Sequence, residues 1–302
     1  MVSDTTLVLG FSDYARPARE LAEALELPYA EVEVHRFPDG ENRLRLPERL
    51  PPHVIICRSL QQPNEKLIEL LLVSRTAREL GAQTLSLVAP YLCYMRQDKA
   101  FRPGEAVSQR IIGRFISELF DHLITVDPHL HRVRHLHDSF PMQTALALSA
   151  TDLLGEFLLS QREEFILLGP DEESEQWVAA IAQRGNFSFA VASKQRFADR
   201  HVVVSLPDME VDNRAVVLVD DMISTGHTMI ETAQQLFARG AKSVSCLVTH
   251  ALFGDEVSEA LQRAGIQNIW SSDAILHPSN VVALQPLLAD AMAPLINEDQ
   301  HA

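Results

Sequence analysis

Short apolar runs recur along the chain, each closed by a polar loop: TTLVLGF near the start, HVIICRSL at 53–60, LSLVAP at 85–90, LITV at 123–126 and AVVLVDD at 215–221. Their hydrophobicity is continuous rather than alternating, which predicts strands covered on both faces. The stretches between them, such as 65–80 and 229–239, are amphipathic with helical period. Strand and helix in alternation predict an α/β protein with parallel sheets and helices on both faces, whose ligands lie at the carboxyl ends of the strands. One segment departs from this pattern. HRFPDGENRLRL reads as two alternating strands joined at Pro38-Asp39-Gly40, a hairpin turn.

The pattern also repeats. Starting from residues 77 and 236, two segments run in gapless register, with Gly81 on Gly240, Ala82 on Ala241 and Ser86 on Ser245. Each is a helix end, a Gly-Ala stop and a buried strand. One element upstream, 53–60 faces 215–221 in the same way, which predicts an internal duplication. The halves differ after that upstream strand: the second carries Asp220-Asp221 and a hydroxyl-rich loop, the first Arg58-Ser59 and Gln61-Gln62-Pro63.

A length of 302 residues suggests two domains of roughly 150 residues each. We place them at 1–147 and 148–284, with a final helix from Gln285 packing back on the first. The formal charge of −15 argues against a nucleic-acid or anionic-membrane partner, both of which need clustered Lys and Arg. Cys57, Cys93 and Cys246 are odd in number, far apart and set in apolar runs, as buried free thiols in a reducing cytoplasm would be. The first apolar run is too short for a signal sequence, and no run approaches membrane-spanning length.

Several loops carry candidate chemistry. After the strand at 215–221, Ser224, Thr225 and Thr228 surround Gly226 at a helix start, where free N–H groups and the helix dipole form a cradle for an anion. Asp220 and Asp221 are placed to accept from sugar hydroxyls or to face hydrated Mg²⁺, although Asp-Asp after a strand also simply starts a turn. Arg96, Lys99 and Arg102 cluster beside Asp98, and His129 and His131 follow another strand with metal-ligand spacing. Taken singly, each reads equally as a solvated surface loop.

Together the strings are more specific. FPDGE at 37–41, YxRQDK at 94–99, VDPH at 126–129 and DDxxSTGxT at 220–228 occur in the order found in ribose-phosphate pyrophosphokinases, and RPGEAVSQRIIGRFI resembles the archaeal-type branch of that family. The resemblance covers nearly the whole chain. It implies two duplicated phosphoribosyltransferase-like domains, an N-terminal one for ATP and a C-terminal one for ribose 5-phosphate. It further implies that Phe37, Asp39 and Glu41 form an adenine pocket shared with a neighbouring subunit of a homo-oligomer, and that Arg96, Gln97 and Asp98 hold ATP. Asp220, Asp221, Ser224, Thr225, Gly226 and Thr228 would bind ribose 5-phosphate, with Mg²⁺ held near His129 and Asp171. Lys194 and Arg196 match the family's catalytic Lys-x-Arg. The implied reaction transfers the diphosphoryl group of ATP to the sugar 1-hydroxyl, giving phosphoribosyl diphosphate and AMP.

One departure stands out: Pro170-Asp171 runs into Glu172-Glu173-Ser174-Glu175 where the family has small residues around a pyrophosphate. An N-cap role for Asp171 stays open beside the metal role. The competing readings are a phosphoribosyltransferase, a catalytically silent regulatory homologue, and a zinc hydrolase built on His129, His131, His135 and His137.

Overall fold

The computed structural model describes residues 5–130, 135–198 and 201–299. For 194–198, 201–204 and 298–299 it describes the backbone alone. The chain divides into two compact units, residues 1–148 with 285–302, and residues 149–284.

The first unit contains β1 (Thr6–Gly10), α1 (Ala15–Ala24), β2 (Tyr29–Glu31), β3 (Glu33–Arg36), β4 (Asn42–Arg45), β5 (His53–Cys57), α2 (Pro63–Glu79), β6 (Thr84–Val88), α3 (Ser108–Ser117), β7 (His122–Val126) and β8 (Thr144–Leu148). Six of the strands form a parallel sheet in the order β2-β1-β5-β6-β7-β8, and β3 and β4 form a separate antiparallel hairpin. Every residue of β1, β5 and β7 is buried, as expected of strands covered on both faces. Leu9, Ile56, Leu87 and Leu123 lie in the core with no exposure, each contributing about 1.5–3 kcal/mol by burial.

The second unit contains α4 (Thr151–Ser160), β9 (Phe165–Gly169), α5 (Glu175–Gly185), β10 (Ser188–Val191), β11 (Ser193–Ala198), β12 (His201–Ser205), β13 (Ala215–Ile223), α6 (His227–Ala238), β14 (Ser243–Ala251), α7 (Asp255–Arg263), β15 (Ile266–Ser272) and β16 (Asn280–Val282). Its parallel sheet has the order β10-β9-β13-β14-β15-β16, and β11 and β12 form an antiparallel hairpin beside it. Strand for strand, this is the sheet order of the first unit repeated. Gly81 after α2 and Gly240 after α6 both have positive φ (111° and 87°), the left-handed helix stop that glycine adopts without steric penalty.

α8 (Gln285–Asp299) closes the chain. Leu288, Met292, Leu295 and Ile296 are buried at helical spacing, and the helix packs on α1 and β7 of the first unit. Among the described residues no helix is long and apolar enough to cross a membrane.

Candidate active site

In each sheet the chain leaves two adjacent strands in opposite directions, β1 and β9 towards one edge, β5 and β13 towards the other. The crevice outside the carboxyl ends of such a strand pair is where open α/β sheets bind ligands.

In the second unit this crevice collects carboxylates. Asp171 follows β9, and Asp220 and Asp221 lie near the end of β13. The strand does not stop at the carboxylates as expected. It continues to Ile223, because β14 runs alongside and pairs Met222 with His250 and Ile223 with Ala251, whereas the pairing with β9 reaches only Leu218. The carboxylates are therefore carried on a strand supported from one side. Asp221 is buried, and its N–H donates to Asp220 Oδ1 (2.9 Å). Asp220 keeps some exposure as a residue, yet burial of its carboxyl, followed by the charges of Asp221 and then Asp171, holds its pKa well above the usual carboxylate range.

The loop after β13 brings Ser224, Thr225, Gly226 and Thr228 to the start of α6. Gly226 is the N-cap, with φ 75°. A Cβ there would come within 2.9 Å of Val257 Cγ1, so both backbone and space require glycine. Asp171 caps the short 3-10 turn at Glu172–Ser174 by accepting from the Glu173 N–H (3.2 Å). Glu172, Glu173 and Glu175 are exposed, which leaves their charges in high-dielectric solvent rather than in the crevice. Lys194 and Arg196 fall in β11, opposite Val204 and Val202; their side chains lie outside those described.

The same crevice in the first unit is filled. Cys57 pairs with Gly10, the last residue of β1, and Leu218 with Leu168, the last but one of β9. Counting on from these pairs, Arg58 and Ser59 take the places of Asp220 and Asp221. The buried Arg58 guanidinium lies 3.9 Å from the Phe11 ring centroid and donates to Asp13 Oδ1 (3.1 Å) and Glu69 Oε2 (2.5 Å). Lys66 Nζ reaches Asp13 Oδ2 (2.8 Å), Ser59 O (2.7 Å) and Gln61 Oε1 (3.0 Å). Burial pushes the Lys66 pKa down, against the opposing pull of Asp13.

The other first-unit candidates lie on the β3–β4 hairpin and on the loops after β6 and β7. Phe37, Asp39 and Glu41 form the exposed turn of the β3–β4 hairpin, which is closed by Phe37 N–H to Glu41 O (2.8 Å), Gly40 N–H to Phe37 O (3.0 Å) and Glu41 N–H to Asp39 Oδ1 (3.2 Å). The Phe37 ring meets His35 edge-on, with centroids 4.9 Å apart. Arg96, Gln97 and Asp98 follow β6, in a loop entered through Tyr94 at φ 61°. His129 follows β7, where both Asp127 (φ 40°) and His129 (φ 47°) are left-handed. Such geometry costs of order 1–3 kcal/mol per residue and persists where its surroundings enforce it. His131 lies outside the described residues.

Residues 7–119 match the family model of the N-terminal domain of ribose phosphate pyrophosphokinase. A phosphoribosyl transferase domain matches residues 142–268. A ribose-phosphate pyrophosphokinase of Methanopyrus kandleri is 35% identical over 96% of this chain and 99% of its own length. That of Methanosarcina acetivorans is 33% identical over 92% and 96%. The chain belongs to the ribose-phosphate pyrophosphokinase family. The fold agrees: the crystal structure of a phosphoribosylpyrophosphate synthetase from Mycobacterium smegmatis superposes with a TM-score of 0.83 at 21% identity, over 97% of this chain and 99% of that one.

Within this pyrophosphokinase fold, sequence reasoning passed over Asp13, Asn64, Glu65, Lys66 and Glu69. The signal available was two carboxylates four apart on a helix directly after Pro63, which on its own reads as a solvated face.

Proposed function

We propose that this chain transfers the diphosphoryl group of ATP to the 1-hydroxyl of ribose 5-phosphate, releasing AMP. The observation that carries the reading is the asymmetry of two otherwise equal crevices. One presents Asp220, Asp221 and the Ser224–Thr225–Gly226 loop at a helix start; the other is plugged by Arg58 and its partners. A single sugar-phosphate cradle per chain, beside a half given over to a different ligand, fits a two-substrate transfer better than a phosphoribosyltransferase, which needs no second half.

Backbone N–H groups around Gly226, with the hydroxyls of Ser224, Thr225 and Thr228, hold the 5-phosphate, and Asp220 and Asp221 accept from the ribose hydroxyls. Phe37 stacks on the adenine, Asp39 and Glu41 read its edge, and Arg96, Gln97 and Asp98 hold the nucleotide. The sugar oxygen attacks the β-phosphorus in line with departing AMP. Such a transfer depends on alignment and on neutralising charge on the moving phosphates, the task of Lys194 and Arg196.

The donor set suits Mg²⁺. Carboxylate oxygens are the ligands a hard cation takes, and the crowding that raises the Asp220 pKa is relieved by a positive neighbour. Among the described residues no three His, Cys, Asp or Glu side chains converge as a metal cage, in keeping with an ion that keeps waters and phosphate oxygens. Asp171 would hold one such ion in the second unit, and His129 in the first unit would contact another through water. When bound, Mg²⁺ would supply charge neutralisation on the diphosphoryl group. Three buried thiols outside any disulfide support a cytoplasmic setting, and the exposed nucleotide turn supports a homo-oligomer in which a neighbouring subunit completes the pocket.

The test follows AMP release from ATP with ribose 5-phosphate and Mg²⁺ each present or omitted. Release that requires both is the expected result. ATP binding without release would favour a silent regulatory homologue, and release without the sugar would overturn the reading.

A further inference from the structure

The turn at 37–41 is poorly supported by its own hairpin. All four residues of β3 are exposed, and β4 alternates between partly buried and exposed. Two four-residue strands with so little apolar cover are not stable by themselves. Leu44 anchors the body of the hairpin to the core, and α2 ties the two ends of the turn. Arg36 and Asn42 form the last cross-strand pair before the turn, and each is tied to a carboxylate one helical turn from the other. Arg36 Nη2 donates to Glu65 Oε1 (2.7 Å) and Asn42 Nδ2 to Glu69 Oε1 (2.6 Å).

Glu69 is itself immobilised. It is buried, with Oε2 taken by Arg58 and Oε1 by Asn42. The same end of the helix reaches the second loop, where the Tyr94 hydroxyl donates to Asn64 Oδ1 (2.5 Å), two residues before Arg96. All of these groups belong to the first unit.

The geometry points to a role for the first turns of α2 as a positioning platform for nucleotide recognition: Glu65 and Glu69 hold the two ends of the Phe37-to-Glu41 turn, and Asn64 holds the entry to the Arg96 loop. This inference rests on the reading of that turn and loop as the ATP site. Glu65, Glu69 and Asn64 touch no substrate. They act by keeping the recognising loops in their bound arrangement before ATP arrives, so that ordering is not charged to binding.

Glu69→Ala would take from the buried Arg58 one of its two carboxylates, leaving only Asp13, and is a poor test, because the variant can fail to fold. Glu65→Ala combined with Asn42→Ala leaves the Arg58–Glu69 pair in place and frees both ends of the turn. In the full chain this double variant should raise KM for ATP by about tenfold through lost preorganisation, while KM for ribose 5-phosphate and kcat stay within about twofold. Hydrogen exchange at the Phe37 and Gly40 amides should quicken, with that of the β5 amides unchanged. A folded double variant with unaltered KM for ATP and unaltered exchange at these amides overturns the proposal. So does a parallel rise of both KM values, the mark of general loosening. Failure of the unmodified protein to release AMP would remove the ATP reading, and the exchange measurement would still decide whether α2 anchors the turn.

Discussion

The ends of β5 and β13 occupy one position in two copies of the same topology, yet carry opposite charge. At β13 the chain presents Asp220-Asp221 with Asp171 nearby, and burial, with these like charges after it, raises the Asp220 pKa. At β5 it presents Arg58, which Asp13 and Glu69 neutralise from within. The helices that follow differ to match: α2 has 17 residues and α6 has 12. With the two helix stops Gly81 and Gly240 aligned, the extra residues lie at the start of α2 and include Asn64, Glu65 and Lys66. Where α6 of the second half begins at His227, the first half has a further helical turn and its ion pairs. Duplication thus supplied two equal crevices, and a single turn of helix with one inverted charge made them different.

The most severe way to break this contrast is to unplug the first half. Arg58→Ala leaves Glu69 buried and uncompensated, which should cost about 3–5 kcal/mol, read as a lower urea midpoint for the transition of the first unit. Replacing Arg58 and Glu69 together by Met should cost much less, because no buried charge is stranded. Next in size is the hairpin of the second half: Lys194→Ala should lower turnover by about 10²-fold or more, the effect of losing one transition-state donor. Near-normal kcat would remove Lys194 from the chemistry.

A smaller effect is expected at the cradle itself. Gly226→Ala forces an L-residue into the left-handed region and should destabilise by about 1–2 kcal/mol, while raising KM for ribose 5-phosphate more than KM for ATP. Equal shifts in both would mean that the Gly226 loop does not distinguish the sugar. The smallest effect at neutral pH concerns the thiols, one set in each half. Burial pushes Cys93 up to about 12 from its ordinary 9.0 and pushes Cys246 higher still. Folded protein therefore retains thiol protons that unfolded chain loses. Their contribution to stability is intact below pH 9 and is lost as pH rises towards and through about 12. At pH 8 a thiol reagent should label Cys93 and Cys246 only on unfolding; rapid labelling of native protein would contradict this burial.

The duplicated α/β fold was legible because buried parallel strands write continuous apolar runs and the Gly-Ala helix stops recur in register. The β3–β4 hairpin was legible from alternation about Pro38-Asp39-Gly40. The extension of β13 through Asp220 and Asp221 was not, since two carboxylates look like a strand end unless the length of the neighbouring β14 is known. The part played by Glu65 and Glu69 was hidden for a related reason: their partners, Arg36 and Asn42, lie more than twenty residues away in the chain, and local spacing alone cannot tell a bridging carboxylate from a solvated one. The left-handed backbone at Asp127 and His129 carried no glycine to announce it.

The return of α8 to the first unit bears on how the protein is made. Leu288, Met292, Leu295 and Ile296 are buried against the first unit, so that unit cannot finish folding until the whole of the second has been synthesised. The carboxy-terminal half, bounded by residues 149 and 284, has all its parts earlier. A nascent chain cut short before Gln285 would then carry a completed second unit joined to an unfinished first one, exposing apolar surface that quality-control proteases can recognise.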